Sequence, residues 1–239
     1  MKVLVTNDDG VKAEGIKILV EKIKQYEKDV FVVAPMYEQS ASSHRLTLRR
    51  GMNCERIDDI IDGVPTYALD GTPADCVLFA LRELDINFDI VFSGINKGYN
   101  LGDDIIYSGT FAAAQEALMR DKKAIAMSCK YNSFEGTKYF DEVYKYIKEN
   151  DLLNERVVLN VNFPANAKGI KITHQAKSTY KTYYMKKEDN LYYTMCDTTI
   201  PLNDEPNGDI QTIKNGYISI SPLGINYTNL EVYNKKTNI

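Results

Sequence analysis

Short runs of wholly apolar residues punctuate the first two-thirds of the chain, and helical patterns separate them. Val3-Leu4-Val5 is the first run; it ends in Asn7-Asp8-Asp9-Gly10, a turn-forming cluster. Ile16, Leu19, Val20 and Ile23 then recur at helical spacing, with Lys and Glu between them. Val30-Phe31-Val32-Val33-Ala34 is the next run, stopped by Pro35. Strand, helix and strand in this order predict a βαβ unit on a parallel sheet covered on both faces. The alternation continues. Thr72-Pro73-Ala74-Asp75 predicts a helix start, with Thr as N-cap and Pro in the first turn, running over 74–83. Further strands are expected over 89–94, 124–128 and 157–162, and helices over 110–119 and 139–148. This pattern predicts an α/β fold with a doubly wound, mostly parallel, Rossmann-like sheet.

Beyond about residue 165 the pattern changes. Segments 180–184 and 191–194 are rich in Tyr and flank a polar 186–190, which predicts a β-hairpin arm. A loop is expected over 205–209, a strand over 217–222 and a polar tail from 226. A lone hairpin is marginal in water, so the arm is expected to pack on another subunit. The 239 residues equal about 1.6 average domains. The pattern turns that fraction into a single α/β domain over 1–239, with about 165–239 forming a hairpin arm and a C-terminal extension.

Composition narrows the function classes. Hydrophobic residues at 44% and charged residues at 26% exclude a disordered tail or a charge-dominated linker. A net charge of −4 argues against a nucleic-acid polymer as partner. No stretch approaches the roughly 18 apolar residues of a membrane span, and the first apolar run is too short for a signal peptide, so a cytoplasmic protein is expected. Cys54, Cys76, Cys129 and Cys196 form no C-x-x-C pair and read as reduced core residues; with two His in the chain, a structural zinc site is not supported. The 17 Tyr against 8 Phe suggest extended edges and ligand rims.

In an open α/β sheet, ligands sit at the carboxyl ends of the strands. Asn7, Asp8, Asp9 and Gly10 follow the first strand, Gln39, Ser40, Ala41, Ser42 and Ser43 the second, and 94–104 the 89–94 strand; Tyr107-Ser108-Gly109-Thr110 then leads into the Ala-rich helix. Adjacent carboxylates reach one point only where the strand has ended and the chain turns, as Gly10 permits. Two such groups repel, and a hard cation such as Mg²⁺, Mn²⁺ or Ca²⁺ relieves the repulsion; a solvated acidic turn is the alternative. Ser108-Gly109-Thr110 at a helix start suits a phosphate, or describes a plain N-cap. Gly94, Gly98 and Gly102 are spaced by four and match neither G-x-G-x-x-G nor a Walker A sequence. They suggest a loop around a small anion, with Asn96 as a neutral oxygen ligand or amide donor. His44 and His174 are isolated and read as satisfied or surface histidines.

Together these motifs resemble the stationary-phase survival protein nucleotidases, the SurE family. The matching stretches are VLVTNDDGVKAEG (3–15), VVAPMYEQSASSHRLT (32–47), DGTPADCV (70–77) and DIVFSGINKGYNLGDDIIYSGTFAAAQE (89–116), with later echoes LNVNFP (159–164) and GYISISPL (216–223). The resemblance implies a divalent-metal phosphatase acting on nucleoside monophosphates as a 5′-nucleotidase, with 3′-nucleotidase and exopolyphosphatase activity as possible extensions. It implies one Mg²⁺ or Mn²⁺ per subunit held by Asp8, Asp9, Ser40 and Asn96. Ser108, Gly109 and Thr110, with Asn96, would then hold the substrate phosphate. Asp8 and Asp9 become the catalytic carboxylates, Asp8 taking the proton of the attacking water. It further implies a homodimer or homotetramer whose C-terminal arms exchange between subunits. Two departures stand out: Ala41 where the family often has Gly, and Asn226 where it often has Asp. Three other readings of the residues remain open here. A phosphoacceptor domain would need a further Asp at the end of the strand that closes Phe92-Ser93-Gly94. An aspartyl-phosphate enzyme would need a D-x-D motif, and a nucleic-acid binder would need a basic stripe.

Overall fold

A computed structural model describes residues 1–57, 61, 63–178, 181–197 and 205–237. Its strands are β1 (Lys2–Thr6), β2 (Asp29–Pro35), β3 (Cys54–Arg56), β4 (Thr66–Leu69), β5 (Ile90–Lys97), β6 (Lys123–Cys129), β7 (Val158–Phe163), β8 (Ile170–Ile172), β9 (Lys181–Glu188), β10 (Leu191–Asp197) and β11 (Ile218–Leu223). Its helices are α1 (Glu14–Ile23), α2 (Pro73–Arg82), α3 (Gly109–Met119), α4 (Phe140–Glu149), α5 (Asp209–Lys214) and α6 (Leu230–Thr237). One nine-stranded sheet runs β3-β4-β2-β1-β5-β6-β7-β11-β8. The contiguous block from β4 to β7 is parallel, while β3 and β11 enter antiparallel to β4 and β7.

Strand alternation divides the core into two layers. Val3, Val5, Ile90, Phe92, Ile125 and Met127 face one layer with α1 and α4. Leu4, Val91, Ala124 and Ala126 face the other with α2 and α3. This is the doubly wound α/β arrangement that the apolar runs predict, and it explains why those runs show no polar face. Thr72 caps α2 as expected. Its Oγ1 accepts from Asp75 N–H at 3.2 Å, and its own N–H donates to Asp75 Oδ2 at 2.9 Å.

After β7 the structure departs from the expected pattern. Within 165–239, β8, α5 and β11 belong to the body of the protein, and β11 pairs with both β7 and β8. The arm itself is β9 and β10, a separate two-stranded antiparallel sheet; Tyr180, expected to open it, lies outside the described residues. Asp209, expected to end a loop, starts α5, because its carboxylate accepts from the Gly102, Ala176 and Ile210 N–H groups and ties the segment down. The tail from 226 contains α6, which buries none of its residues. Cys76 and Cys129 are buried as expected, but Cys54 and Cys196 are exposed; Cys54 lies on the edge strand β3 and Cys196 on the arm. Among the described residues no helix is long and apolar enough to cross a membrane.

Candidate metal and phosphate site

The sheet winds outward from β1 in two directions, through β2 on one side and β5 on the other. A crevice therefore opens between the ends of β1 and β5, the place where open α/β sheets bind ligands. Asn7 shapes the turn after β1. Its Nδ2 donates to Gly10 O at 2.8 Å and its Oδ1 accepts from Gly10 N–H at 3.2 Å. Gly10 sits at φ +100°, a conformation a side chain would strain. The Asp8 carbonyl then accepts from Gln39 N–H at 2.7 Å, which pins the loop after β2 beside the acidic pair. On the opposite side α1 lies so close to β5 that a Cβ on Gly15 would overlap the Ile95 carbonyl oxygen.

These contacts border a cleft of about 610 Å³ lined by Asp8, Asp9, Ser40, Asn96 and Ser108 among others. Five of the seven residues singled out from the sequence thus meet on one surface. Gly109 and Thr110 do not line it. Thr110 instead supports Asp8: its Oγ1 donates to Oδ1 at 2.5 Å and its N–H to Oδ2 at 3.2 Å. Gly109 gives these groups room, since a Cβ there would stand 2.6 Å from Ser42 Oγ and 3.0 Å from Asp8 Cβ. Ser108 is the N-cap of α3, its Oγ accepting from Phe111 N–H at 3.0 Å. Thus the Thr110 and Phe111 N–H groups of the first turn already have acceptors in the protein.

Asp8 is 6% exposed. Burial pushes its carboxyl up to about 6; the Thr110 hydrogen bond opposes this and the neighbouring Asp9 adds to it. Asp9 is raised as well, chiefly by burial, with the Lys97 N–H opposing and Glu38 adding. Two carboxylates held this way are short of positive charge. Asp9 Oδ2 accepts from Lys97 N–H at 3.3 Å, which orients it. Ser40 Oγ donates to Glu38 Oε1 at 2.6 Å, so its lone pairs can face a cation. Asn96 Nδ2 donates to Gly98 O at 2.7 Å, which turns Oδ1 the other way. Among the described residues no three His, Cys, Asp or Glu side chains cluster as a metal site. The donors here are two carboxylates completed by neutral oxygens, a set that fits a hard cation such as Mg²⁺ or Mn²⁺.

The two departures have structural readings. Ala41 adopts φ +53°, the left-handed region where Gly would be unstrained. Asn226 keeps an acceptor for the tail, its Oδ1 taking Thr228 N–H at 2.9 Å.

Sequence reasoning passed over Glu38, Lys97, Asn100 and the aromatic rim of the cleft. Lys97 directly follows Asn96, so a cation beside the acidic pair was legible in principle. Asn100 is a hub: its N–H donates to Asn162 Oδ1, its amide to Ser128 Oγ, and its carbonyl accepts from the Asn160 and Asn162 amides. His44 is not isolated in space. Nδ1 lies 3.0 Å from Gln115 Oε1 and Nε2 2.8 Å from Glu116 Oε2 on α3.

Comparison with known proteins shows the family of the chain. The family described as survival protein SurE matches residues 3–182. A 5′-nucleotidase SurE from Petrotoga mobilis is 38% identical over 242 residues, covering 94% of this chain and 93% of that protein. Another from Natranaerobius thermophilus is 35% identical over 255 residues, covering 100% and 98%. The crystal structure of the SurE protein from Aquifex aeolicus superposes with a TM-score of 0.82 at 34% identity, covering 100% of this chain and 99% of that one.

Proposed function

Because this chain belongs to the survival protein SurE family, we propose that it is a 5′-nucleotidase, a metal-dependent hydrolase that frees phosphate from nucleoside monophosphates. The observation that carries this reading is the pair Asp8 and Asp9, brought with Ser40 and Asn96 onto one cleft at the switch point of the sheet. These four residues would hold one Mg²⁺ or Mn²⁺ per subunit. That cation would supply an activated water near neutral pH and offset charge on the phosphoryl group.

The chain's own residues do the rest. Thr110 fixes both oxygens of Asp8, and Asp8 takes the proton of the attacking water. Ser108 keeps its hydroxyl proton to donate to a phosphate oxygen, because its own Oγ serves as acceptor for Phe111 N–H. Gly109 N–H, at the start of α3, and Asn96 add further donors where negative charge builds. A contact set that recognises a terminal phosphoryl group also suits 3′-phosphates and short polyphosphates.

We further infer one domain over 1–239 that works in the cytoplasm as a homodimer or homotetramer. Support comes from the arm β9–β10, which exposes Tyr183, Tyr184, Tyr192 and Tyr193. Phosphate release from a panel of nucleoside monophosphates, with Mg²⁺, Mn²⁺ or EDTA, tests the reading. Release with metal and none with EDTA is expected; no release under any condition overturns it.

A further inference from the structure

The cleft is larger than a phosphate and a cation need, and its outer part is aromatic. Tyr99, Tyr107, Tyr131 and Phe134 line the same cavity as the acidic pair. They come from three separate segments: Tyr99 from the loop after β5, Tyr107 from the turn before α3, Tyr131 and Phe134 from the loop after β6. Phe134 is partly buried against the core, its ring close to Gly15. Tyr131 and Tyr107 are different. They are 71% and 58% exposed, and among the described residues neither forms a ring–ring pair. Two exposed rings at the mouth of one polar cleft offer flat apolar faces to a ligand bound there.

Resting on the nucleotidase reading, we propose that Tyr107 and Tyr131 bind the nucleobase of the substrate by stacking, and so set the preference for nucleotides over simple sugar phosphates. The chemistry recognised is a flat π-face next to a phosphate monoester. Stacking is tolerant of base identity, because every base offers such a face. Asn100 lines the same cleft, but its side-chain Nδ2 already donates to Ser128 Oγ, and its backbone carbonyl accepts from the Asn160 and Asn162 amides. The rim therefore favours nucleotides as a class, with similar use of purines and pyrimidines.

The test compares kcat/KM for AMP, UMP and ribose 5-phosphate in the wild type and in Tyr131→Ala, Tyr107→Ala and Tyr131→Phe, with metal saturating. Ribose 5-phosphate carries the phosphate and the sugar without a base. Each Ala variant is expected to raise KM for both nucleotides, so that the nucleotide to ribose 5-phosphate ratio of kcat/KM falls roughly tenfold. Tyr131→Phe keeps a stacking face and should hold the wild-type ratio. Adenosine, as a competitive inhibitor, should weaken in parallel with the ratio. A ratio within twofold of wild type in both Ala variants overturns the proposal. So does a wild-type enzyme that uses ribose 5-phosphate as well as AMP, a result that leaves the phosphatase chemistry standing. No turnover of any nucleotide by the wild type would instead remove the nucleotidase reading, and this inference with it.

Discussion

Thr110 offers the sharpest test of how the site is built. From the sequence it belongs with the phosphate; in the structure its hydroxyl and its N–H both serve Asp8. Thr110→Val keeps the shape of the side chain and deletes the 2.5 Å hydrogen bond to Asp8 Oδ1, while the backbone bond to Oδ2 remains. A hydrogen bond to a charged group contributes about 1.5–3 kcal/mol. The burial of Asp8 and Thr110 places this one toward the upper part of that range. If the loss falls on the orientation of Asp8 as a metal ligand, Mn²⁺ affinity drops about 10- to 100-fold. Two assays read it: Mn²⁺ binding by calorimetry without substrate, and the Mn²⁺ concentration for half-maximal phosphate release. Both should shift together, with KM for the nucleotide at saturating Mn²⁺ changed little. Wild-type Mn²⁺ affinity alongside a raised KM would refute the reasoning and return Thr110 to the phosphate.

Asp9→Asn should abolish metal-dependent phosphate release while the far-ultraviolet circular dichroism stays that of the wild type; near-normal turnover with Mg²⁺ or Mn²⁺ would refute the ligand role. Gly15→Ala forces a Cβ onto the Ile95 carbonyl and should cost about 3 kcal/mol by overpacking; an unchanged urea midpoint would contradict the close approach of α1 to β5. The Glu116 hydrogen bond raises the His44 pKa above its unfolded value, so the stabilisation from His44 is complete below about pH 6.5 and fades as pH rises through the raised value. Glu116 is lowered: burial opposes the shift, but the His44 hydrogen bond and Arg120 outweigh it. Its contribution is lost as pH falls below about 4.3. The difference in Tm between wild type and His44→Ala should therefore be largest between those limits and shrink at alkaline pH; a constant difference from pH 5 to 9 would disprove the link.

Much of the sheet is legible in the chain because the inner stretches of β1, β2, β5, β6 and β7 are buried on both faces and are mostly apolar. The same logic hides the edges. All three residues of β3, Cys54, Glu55 and Arg56, are exposed, so no periodicity marks the strand; it exists because β4 offers it a partner. β8 is three residues long and depends on β11 in the same way. α6 buries nothing, and its sequence reads as a tail. Within the site, Asp8, Asp9 and Asn96 stand out because each sits at or just past a strand end, where side chains meet ligands. Ser40 is one oxygen among several in its loop and is singled out by the family resemblance. The Asp8–Thr110 pairing joins residues 102 positions apart, and no local pattern encodes a contact of that range. The aromatic rim gathers from three loops and leaves only a faint trace, the excess of Tyr.

Every residue singled out for chemistry from the sequence lies before position 111, which suggests that the first half of the molecule is a self-sufficient catalyst. The asparagine hub argues otherwise. The loop that carries Asn100 hangs on Asn160 and Asn162 of β7, and the next turn hangs on Asp209 through Gly102 N–H. The second half of the chain thus acts as a jig for the first. A fragment ending before β7 would retain each proposed metal ligand and lose the support of the Asn100 side of the cleft. The enzyme is therefore not divisible at its visible motifs. Residues far down the chain, with no reactive role, are expected to be as intolerant of change as the acidic pair itself.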